Sequence, residues 1–110
     1  MANRIIGTTH VQVAPMNANR HSISVQLVPS SIVAGNTGLI FGKFGGAPVA
    51  NVNSNANDFV LNAGAVDGAN LYETMVEAYD KQELWLISDT AGQVVNIVER
   101  SLQKPVVVTP

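Results

Sequence analysis

Residues 22–27 carry the pattern that most constrains the fold of this chain. Their sequence, Ser-Ile-Ser-Val-Gln-Leu, alternates polar and apolar side chains without a break. Because successive side chains of a β-strand point to opposite faces, Ile23, Val25 and Leu27 share one face that can be buried. Pro29 then ends the run, since proline lacks the backbone N–H that a β-ladder needs. The pattern predicts a half-buried β-strand.

Five further segments have the length and composition of β-strands. They lie at residues 8–15, 38–46, 58–64, 83–89 and 93–100. Glycine and asparagine dominate the connections, and both tolerate the left-handed conformations of tight turns. Short strands at this spacing predict an all-β fold, either an antiparallel β-sandwich or a jelly roll, with extended terminal arms.

Two features of these segments make more detailed predictions. In the strand at residues 38–46, Gly42 indicates either a bulge or a close backbone neighbour. The longest connection, residues 45–57, is rich in asparagine and is predicted to be a surface loop.

Residues 71–79 fit two secondary structures. Leu71, Met75 and Tyr79 recur at helical spacing. If the segment is a strand instead, alternate residues share one face, and Val76 is the last of them. We predict the strand, because the neighbouring segments are all strand-like.

The chain length and composition limit the domain number and the class of partner. The 110 residues give room for one hydrophobic core. We predict one domain over residues 1–103, which includes the N-terminal segment, and a C-terminal extended arm over residues 104–110. Charged residues make up 13% of the sequence, a low fraction that favours a subunit of a larger assembly. The net charge of −2 provides no electrostatic attraction for nucleic acid or an anionic membrane.

Two other chemical classes are excluded by residue type. The sequence has no cysteine, which excludes disulfide bonds, thiolate metal sites and thiol catalysis. No apolar stretch has the length of a membrane span or the pattern of a signal peptide, so we expect synthesis in a cytoplasm.

Residues 86–93, with the sequence Leu-Ile-Ser-Asp-Thr-Ala-Gly-Gln, raise the question of an aspartic protease. That active site needs Asp-Thr/Ser-Gly loops, whose glycine lets the backbone fold beneath two carboxylates that share a proton. Here Ala91 stands where the glycine is required, and the segment lies near the C-terminal end of the chain. We therefore interpret Asp89 to Gly92 as the turn of a hairpin between the last two strands.

Other residue types that carry chemistry are few. His10 and His21 show no zinc-ligand spacing. Residues 51–58 alternate asparagines ahead of Asp58, whereas a calcium loop needs several carboxylates. Trp85 lies in an apolar run, which favours burial over a sugar-binding platform. We predict no catalytic residue, no metal site and no cofactor.

Four motifs follow one another in order between residues 19 and 99. They are an Asn-Arg-x-Ser start to an alternating strand, a Phe-Gly strand, a Leu-x-x-Gly turn and a final hairpin with a valine-rich second strand. The positions concerned are Asn19, Arg20, Ser22, Phe41, Gly42, Leu61, Gly64, Trp85, Ala91, Val98 and Glu99. In this order the chain resembles a family of small β-sandwich proteins encoded among bacteriophage head genes.

This resemblance implies a non-enzymatic virion protein. The expected role is that of a cement or decoration protein that binds the outside of an icosahedral capsid, with the major capsid protein as its partner. It implies a homo-oligomer, with a trimer favoured, at the capsid surface after synthesis in the host cytoplasm. No nucleic acid or membrane is expected as a partner. The alternative is a carbohydrate- or receptor-binding module of a phage spike, fibre or tail, for which a long asparagine-rich loop would be suited.

Extended arms that add a strand to a neighbour's sheet edge would suit a cement protein. The C-terminal segment has a valine triplet of strong β preference between two prolines that limit uncontrolled edge pairing. Its alternatives are a terminal strand of the chain's own sandwich and a disordered end. We expect capsid or subunit contacts at Ile5, Ile6, Lys104, Pro105, Val106, Val107 and Val108.

Overall fold

The computed structural model describes residues 2–28, 32–51, 56–62 and 75–101. These residues form eight β-strands: β1 (Ala2–Ile6), β2 (Val11–Ala14), β3 (Arg20–Leu27), β4 (Leu39–Phe44), β5 (Phe59–Asn62), β6 (Met75–Ala78), β7 (Leu84–Ser88) and β8 (Gln93–Ser101). Within those ranges there is no helix, and hence none long and apolar enough to cross a membrane. The predicted all-β fold is confirmed.

The strands form two four-stranded antiparallel sheets. The first has the order β1-β8-β3-β6 and the second the order β2-β7-β4-β5. The pairs β1 with β8, β2 with β7, β3 with β6 and β4 with β5 are nested in the sequence, and β3–β8 and β4–β7 contacts complete the sheets. A nested ribbon of paired strands that is rolled into two sheets is the jelly-roll arrangement of a β-sandwich.

This topology corrects the prediction for the end of the chain. β7 belongs to the second sheet and β8 to the first, so residues 89–92 carry the chain from one sheet to the other. The predicted hairpin between the last two strands is therefore wrong. Among the described strands, β4 and β5 are the pair that are both consecutive and adjacent, and the predicted loop at residues 45–57 joins them.

The core lies between the inward faces of the two sheets. The predicted inward residues of β3, Ile23, Val25 and Leu27, are all buried there. The buried cluster consists of Ile6, Ala14, Ile23, Val25, Leu27, Ile40, Leu61, Leu84, Leu86, Val95 and Ile97. Alternation thus identified the buried face of β3 correctly.

Gly42 in β4 has a close neighbour, but this is a side chain and neither the backbone neighbour nor the bulge that the sequence predicted. A Cβ atom built on this glycine would overlap the ring of Phe59, its register partner in β5. The aromatic ring therefore covers the glycine on the inward face, and β4 runs in continuous register with both of its neighbours.

The ambiguous segment is a strand over four of its five described residues. Met75–Ala78 forms β6 and pairs with β3, so the helical interpretation is wrong over these residues. Residues 71–74 lie outside the described residues. Tertiary pairing with β3 decided between the two periodicities.

Candidate functional site

The predicted contact residues have different positions in the structure. Residues 104–108 lie outside the described part of the chain. Ile5 and Ile6 belong to β1, so this N-terminal segment is a strand of the sandwich. Ile6 is fully buried in the core, which leaves no side-chain surface for a partner, whereas Ile5 points outward and is 73% exposed. Of the two isoleucines, only Ile5 is placed to touch another molecule.

β1 is an edge strand with a regular backbone. Its five residues pair with β8 in continuous register, without the bulge that interrupts β2 between Gln12 and Ala14. β8 lies on one side of β1, and no described strand lies on the other. Edge strands offer unpaired N–H and C=O groups to a further strand.

The direction of these free groups follows from the register. Arg4 is paired in register with Val95, the residue that follows Val94 in β8. Val94 itself faces β3, because its carbonyl accepts the N–H of Val28 at 3.1 Å. Since backbone groups alternate in direction along a strand, Arg4 faces β8. The N–H and C=O groups of Asn3 and Ile5 therefore point to the free edge.

The Asp89 carboxylate has a structural role in the turn between β7 and β8. Its Oδ1 accepts the N–H of Leu39 at 2.9 Å and the hydroxyl of Thr90 at 3.1 Å. The Ser88 hydroxyl donates to the Leu39 carbonyl at 2.7 Å and accepts the Thr90 N–H at 3.0 Å. A Cβ on Gly38 would overlap these side chains, so the glycine allows the close approach. Asp89 fixes the start of β4 to the turn.

Asn36 and Gln93 are fully buried and hold the connection between β3 and β4 against β8. The Asn36 Nδ2 donates to the carbonyls of Val28 at 2.7 Å and Val94 at 2.9 Å, and its Oδ1 accepts the Val94 N–H at 2.8 Å. The Gln93 amide accepts the N–H of Gly38 at 2.9 Å and donates to two carbonyls. The side chains of Asn36 and Gln93 provide the hydrogen bonds that a neighbouring strand would otherwise provide, at the point where β3 and β8 separate.

A second polar cluster surrounds the fully buried Arg20 near the other end of β8. Its Nε and Nη2 lie 2.7 Å from the Oε2 of Glu99. Nη1 donates to the carbonyls of Asp80 at 2.8 Å and Gln82 at 2.7 Å, and Nη2 donates to the carbonyl of Pro15 at 2.8 Å. The guanidinium thus links β3 and β8 to the connections that follow β2 and β6.

The two histidines each contact an aromatic ring. His10 lies edge-on to Trp85, with ring centroids 5.4 Å apart, and His21 lies edge-on to Tyr79 at 5.9 Å. The described residues contain no group of three or more histidines or carboxylates that could hold a metal ion. The histidines therefore form separate surface contacts.

Trp85 differs from its predicted burial. Leu84 and Leu86 of β7 point into the core, so the indole lies on the outward face and is only partly buried. Its Nε1 is enclosed without a hydrogen-bond partner among the described residues. On this face its register partners are Gln12 in β2 and Lys43 in β4. The result is a partly exposed aromatic ring between polar side chains.

Tyr79 is the described residue with a resolved pKa shift. Its hydroxyl donates to Glu77 Oε1 at 3.0 Å. This hydrogen bond and the negative charge of Glu77 raise the pKa of Tyr79 above its ordinary value, with a smaller contribution from desolvation. The ring is exposed, and the shift reflects a surface contact.

Comparison with known proteins gives no relative for this chain: no family model, curated protein or solved structure matches it.

Sequence reasoning missed the roles of Arg20, Glu99 and Asn36. In the sequence Arg20 and Glu99 are only two positions in motifs, whereas in the structure they form an ion pair. An arginine at the start of one predicted strand and a glutamate near the end of another are a partial sequence signal for an ion pair between strands. Asn36 in a Gly-Asn-Thr-Gly sequence is indistinguishable from a turn residue.

Proposed function

We propose that this protein is a non-enzymatic structural protein of a bacteriophage virion, which binds the outside of the capsid as a cement or decoration protein. The observation that carries the proposal is the nested strand pairing of a jelly roll. This architecture recurs in viral capsid and lectin domains. It agrees with the segment order that resembles phage head proteins, although a fold alone does not determine a function.

The hydrogen bonds of the polar residues support a structural role. Glu99 and Asp89 hold strands and turns together. Asp58 accepts the Phe44 N–H at 2.7 Å, and Asn57 binds both backbone groups of Val49 in the loop between β4 and β5. These carboxylate and amide side chains are thus engaged in fixing strands, turns and loops. A rigid scaffold of this kind suits a protein that reinforces an assembly.

The surface composition supports a binding role. Only 13% of all residues are charged. The large apolar side chains exposed on the described surface are Ile5, Met16, Ile32, Val49, Met75 and Tyr79. Single exposed apolar residues are ordinary in soluble proteins. On a symmetric shell, however, many small contacts act together, so no single interface has to be large.

We predict that capsid binding depends on Ile5 and on residues 104–110. Replacing Ile5 by lysine, or deleting residues 104–110, should lower the amount of protein that cosediments with capsids by about tenfold, because each change removes contacts that are repeated over the shell. Ala18→Lys is the control, since it adds the same charge at an exposed turn residue that is not one of these large apolar side chains. Equal binding by all variants, with folding verified by circular dichroism, would contradict the proposal.

Imaging of the native particle tests the location directly. Cryo-electron microscopy should place the protein on the outer capsid surface, bound to the major capsid protein as a homo-oligomer, with trimers favoured. Density confined to a spike or tail tip would contradict the cement role.

A second candidate is a carbohydrate- or receptor-binding module of a spike, fibre or tail. The observation that favours it is the outward position of Trp85, partly exposed beside His10. Aromatic rings next to polar groups are suited to binding surfaces that are apolar on one side and hydrated on the other. Density at the tail tip in the same particle images would favour this candidate.

A further inference from the structure

The free edge of β1 combines three features that lie next to each other. Asn3 and Ile5 direct their backbone N–H and C=O groups to the edge, as their register with β8 requires. The side chain of Ile5 is exposed on the outward face of the sheet. Arg4, between them, projects from the opposite face and is partly buried. Residues 3–5 therefore combine free backbone hydrogen-bonding groups, an exposed apolar side chain and a positively charged side chain.

The other edges of the sandwich are less suited to accept a strand. β2 is interrupted by a register shift and is followed by Pro15. β5 and β6 have four residues each, and β6 exposes the negative charge of Glu77. Bulges, prolines, charges and short length are the devices by which proteins protect sheet edges. β1 has five residues in continuous register, and its outward face carries no charge.

Arg4 determines which strand would fit. The described residues form one ion pair, Arg20 with Glu99, so Arg4 has no carboxylate partner among them. Because the backbone of Arg4 faces β8, a strand added at the edge would meet Arg4 in a non-hydrogen-bonded position. Side chains approach most closely at such a position. A carboxylate there could pair with the guanidinium.

A second copy of the chain fits this edge poorly. Antiparallel pairing centred on Arg4 would join Asn3 to Ile5 of the copy through four backbone hydrogen bonds, but it would place the two arginines directly opposite each other. Like charges in that arrangement destabilise a strand pair. Pairing centred on Ile5 would instead place Asn3 opposite Gly7, whose carbonyl already accepts the Ser88 N–H at 2.9 Å.

We infer that the free edge of β1 is a binding site for an extended acidic segment of another protein, which adds a fifth strand to the first sheet. Its carboxylate lies opposite Arg4, and its apolar side chains pack beside Ile5. Backbone hydrogen bonds provide the affinity in such strand addition, and the alternate side chains provide the specificity. The inference does not rest on the capsid proposal, because it requires only the geometry of β1.

A synthetic peptide tests this site without any capsid. The peptide Thr-Val-Thr-Val-Glu-Val-Thr-Val-Thr has the same sequence in both directions, so it can pair in either orientation with its carboxylate opposite Arg4. We expect its titration to shift the NMR amide signals of Asn3 and Ile5 in a saturable manner. The same peptide with lysine in place of glutamate should bind about fivefold more weakly, from the usual effect of a cross-strand charge pair.

Two variants separate the backbone and charge contributions. Asn3→Pro removes an outward N–H and leaves the hydrogen bonds between β1 and β8 in place, so peptide binding should fall about tenfold. Arg4→Gln should remove the preference for the glutamate peptide over the lysine peptide while binding persists. The amide signals of Val95 and Ile97 report whether each variant retains the paired β8.

Three results would overturn the inference. The first is the absence of saturable shifts at Asn3 and Ile5, and the second is equal peptide binding by the folded Asn3→Pro variant. The third is concentration-dependent broadening of the Asn3 and Ile5 signals without peptide, since this would identify a second copy as the occupant.

Discussion

Arg20 shows how a single buried charge can be accommodated in a small sandwich. Burial of an unpaired guanidinium is costly, because the charge loses its hydration. Here the Nε–H donates to Glu99 Oε2, which also lies 2.7 Å from Nη2, and three backbone carbonyls accept N–H groups of Nη1 and Nη2. Arginine can satisfy several acceptors at fixed angles, which lysine cannot do. At the scale of the residue, Arg20 is therefore a structural connector.

Loss of Arg20 should destabilise the fold strongly. Arg20→Ala leaves the Oε2 of Glu99 and three carbonyls without the guanidinium donor, and we expect the free energy of unfolding to fall by about 3 kcal/mol. Arg100→Ala is the matched control, because Arg100 is exposed and should change stability by less than about 0.5 kcal/mol. Urea denaturation of both variants measures the difference. Similar losses in the two variants would show that the cluster does not have this role.

At the scale of the element, Asn36 allows β3 and β8 to separate without leaving backbone N–H and C=O groups that lack a hydrogen-bond partner. Its carboxamide matches a peptide unit in its donors and acceptor, so it can bond Val28 and Val94 as a neighbouring strand would. Aspartate has the same shape but lacks the two N–H donors. The connection between β3 and β4 is thereby anchored where it leaves the first sheet.

Replacement of Asn36 by alanine tests this role. The change leaves the Val28 carbonyl and both backbone groups of Val94 without the Asn36 partner, and we expect a loss of about 2–3 kcal/mol in the free energy of unfolding. Hydrogen exchange of the Val94 amide should also become faster. Asn19→Ala is the control, since Asn19 is exposed in a turn. Unchanged protection of Val94 would contradict the assignment.

At the scale of the whole molecule, the nested topology makes most strand pairs distant in sequence. β1 pairs with β8, and β2 pairs with β7, so the first and last parts of the chain must meet before either sheet is complete. Of the seven connections between the described strands, the one from β4 to β5 stays within a sheet. Closing long loops costs conformational entropy before the distant contacts form.

This topology predicts slow folding. Domains dominated by non-local strand pairing fold in milliseconds to seconds, and we expect a time constant in roughly that range. The single tryptophan, Trp85 in β7, provides a fluorescence signal for stopped-flow refolding from urea. Refolding complete within microseconds would contradict the prediction.

The local parts of this structure could be read from the sequence. Alternation placed Ile23, Val25 and Leu27 on the buried face. The same reasoning predicted that the N-terminal segment contacts a partner through Ile5 and Ile6, whereas Ile6 lies in the core as part of β1.

The sequence by itself determined most of the extended segments and the apolar face of β3, since side-chain alternation is a property of neighbouring residues. The tertiary structure decided which strands pair. It alone brought Arg20 to Glu99 across 79 positions of the chain, placed β7 and β8 in different sheets and left β1 at a free edge. The physical reason is that backbone hydrogen bonding is the same for every strand. The choice of partner is therefore made by packing and connection across the whole molecule.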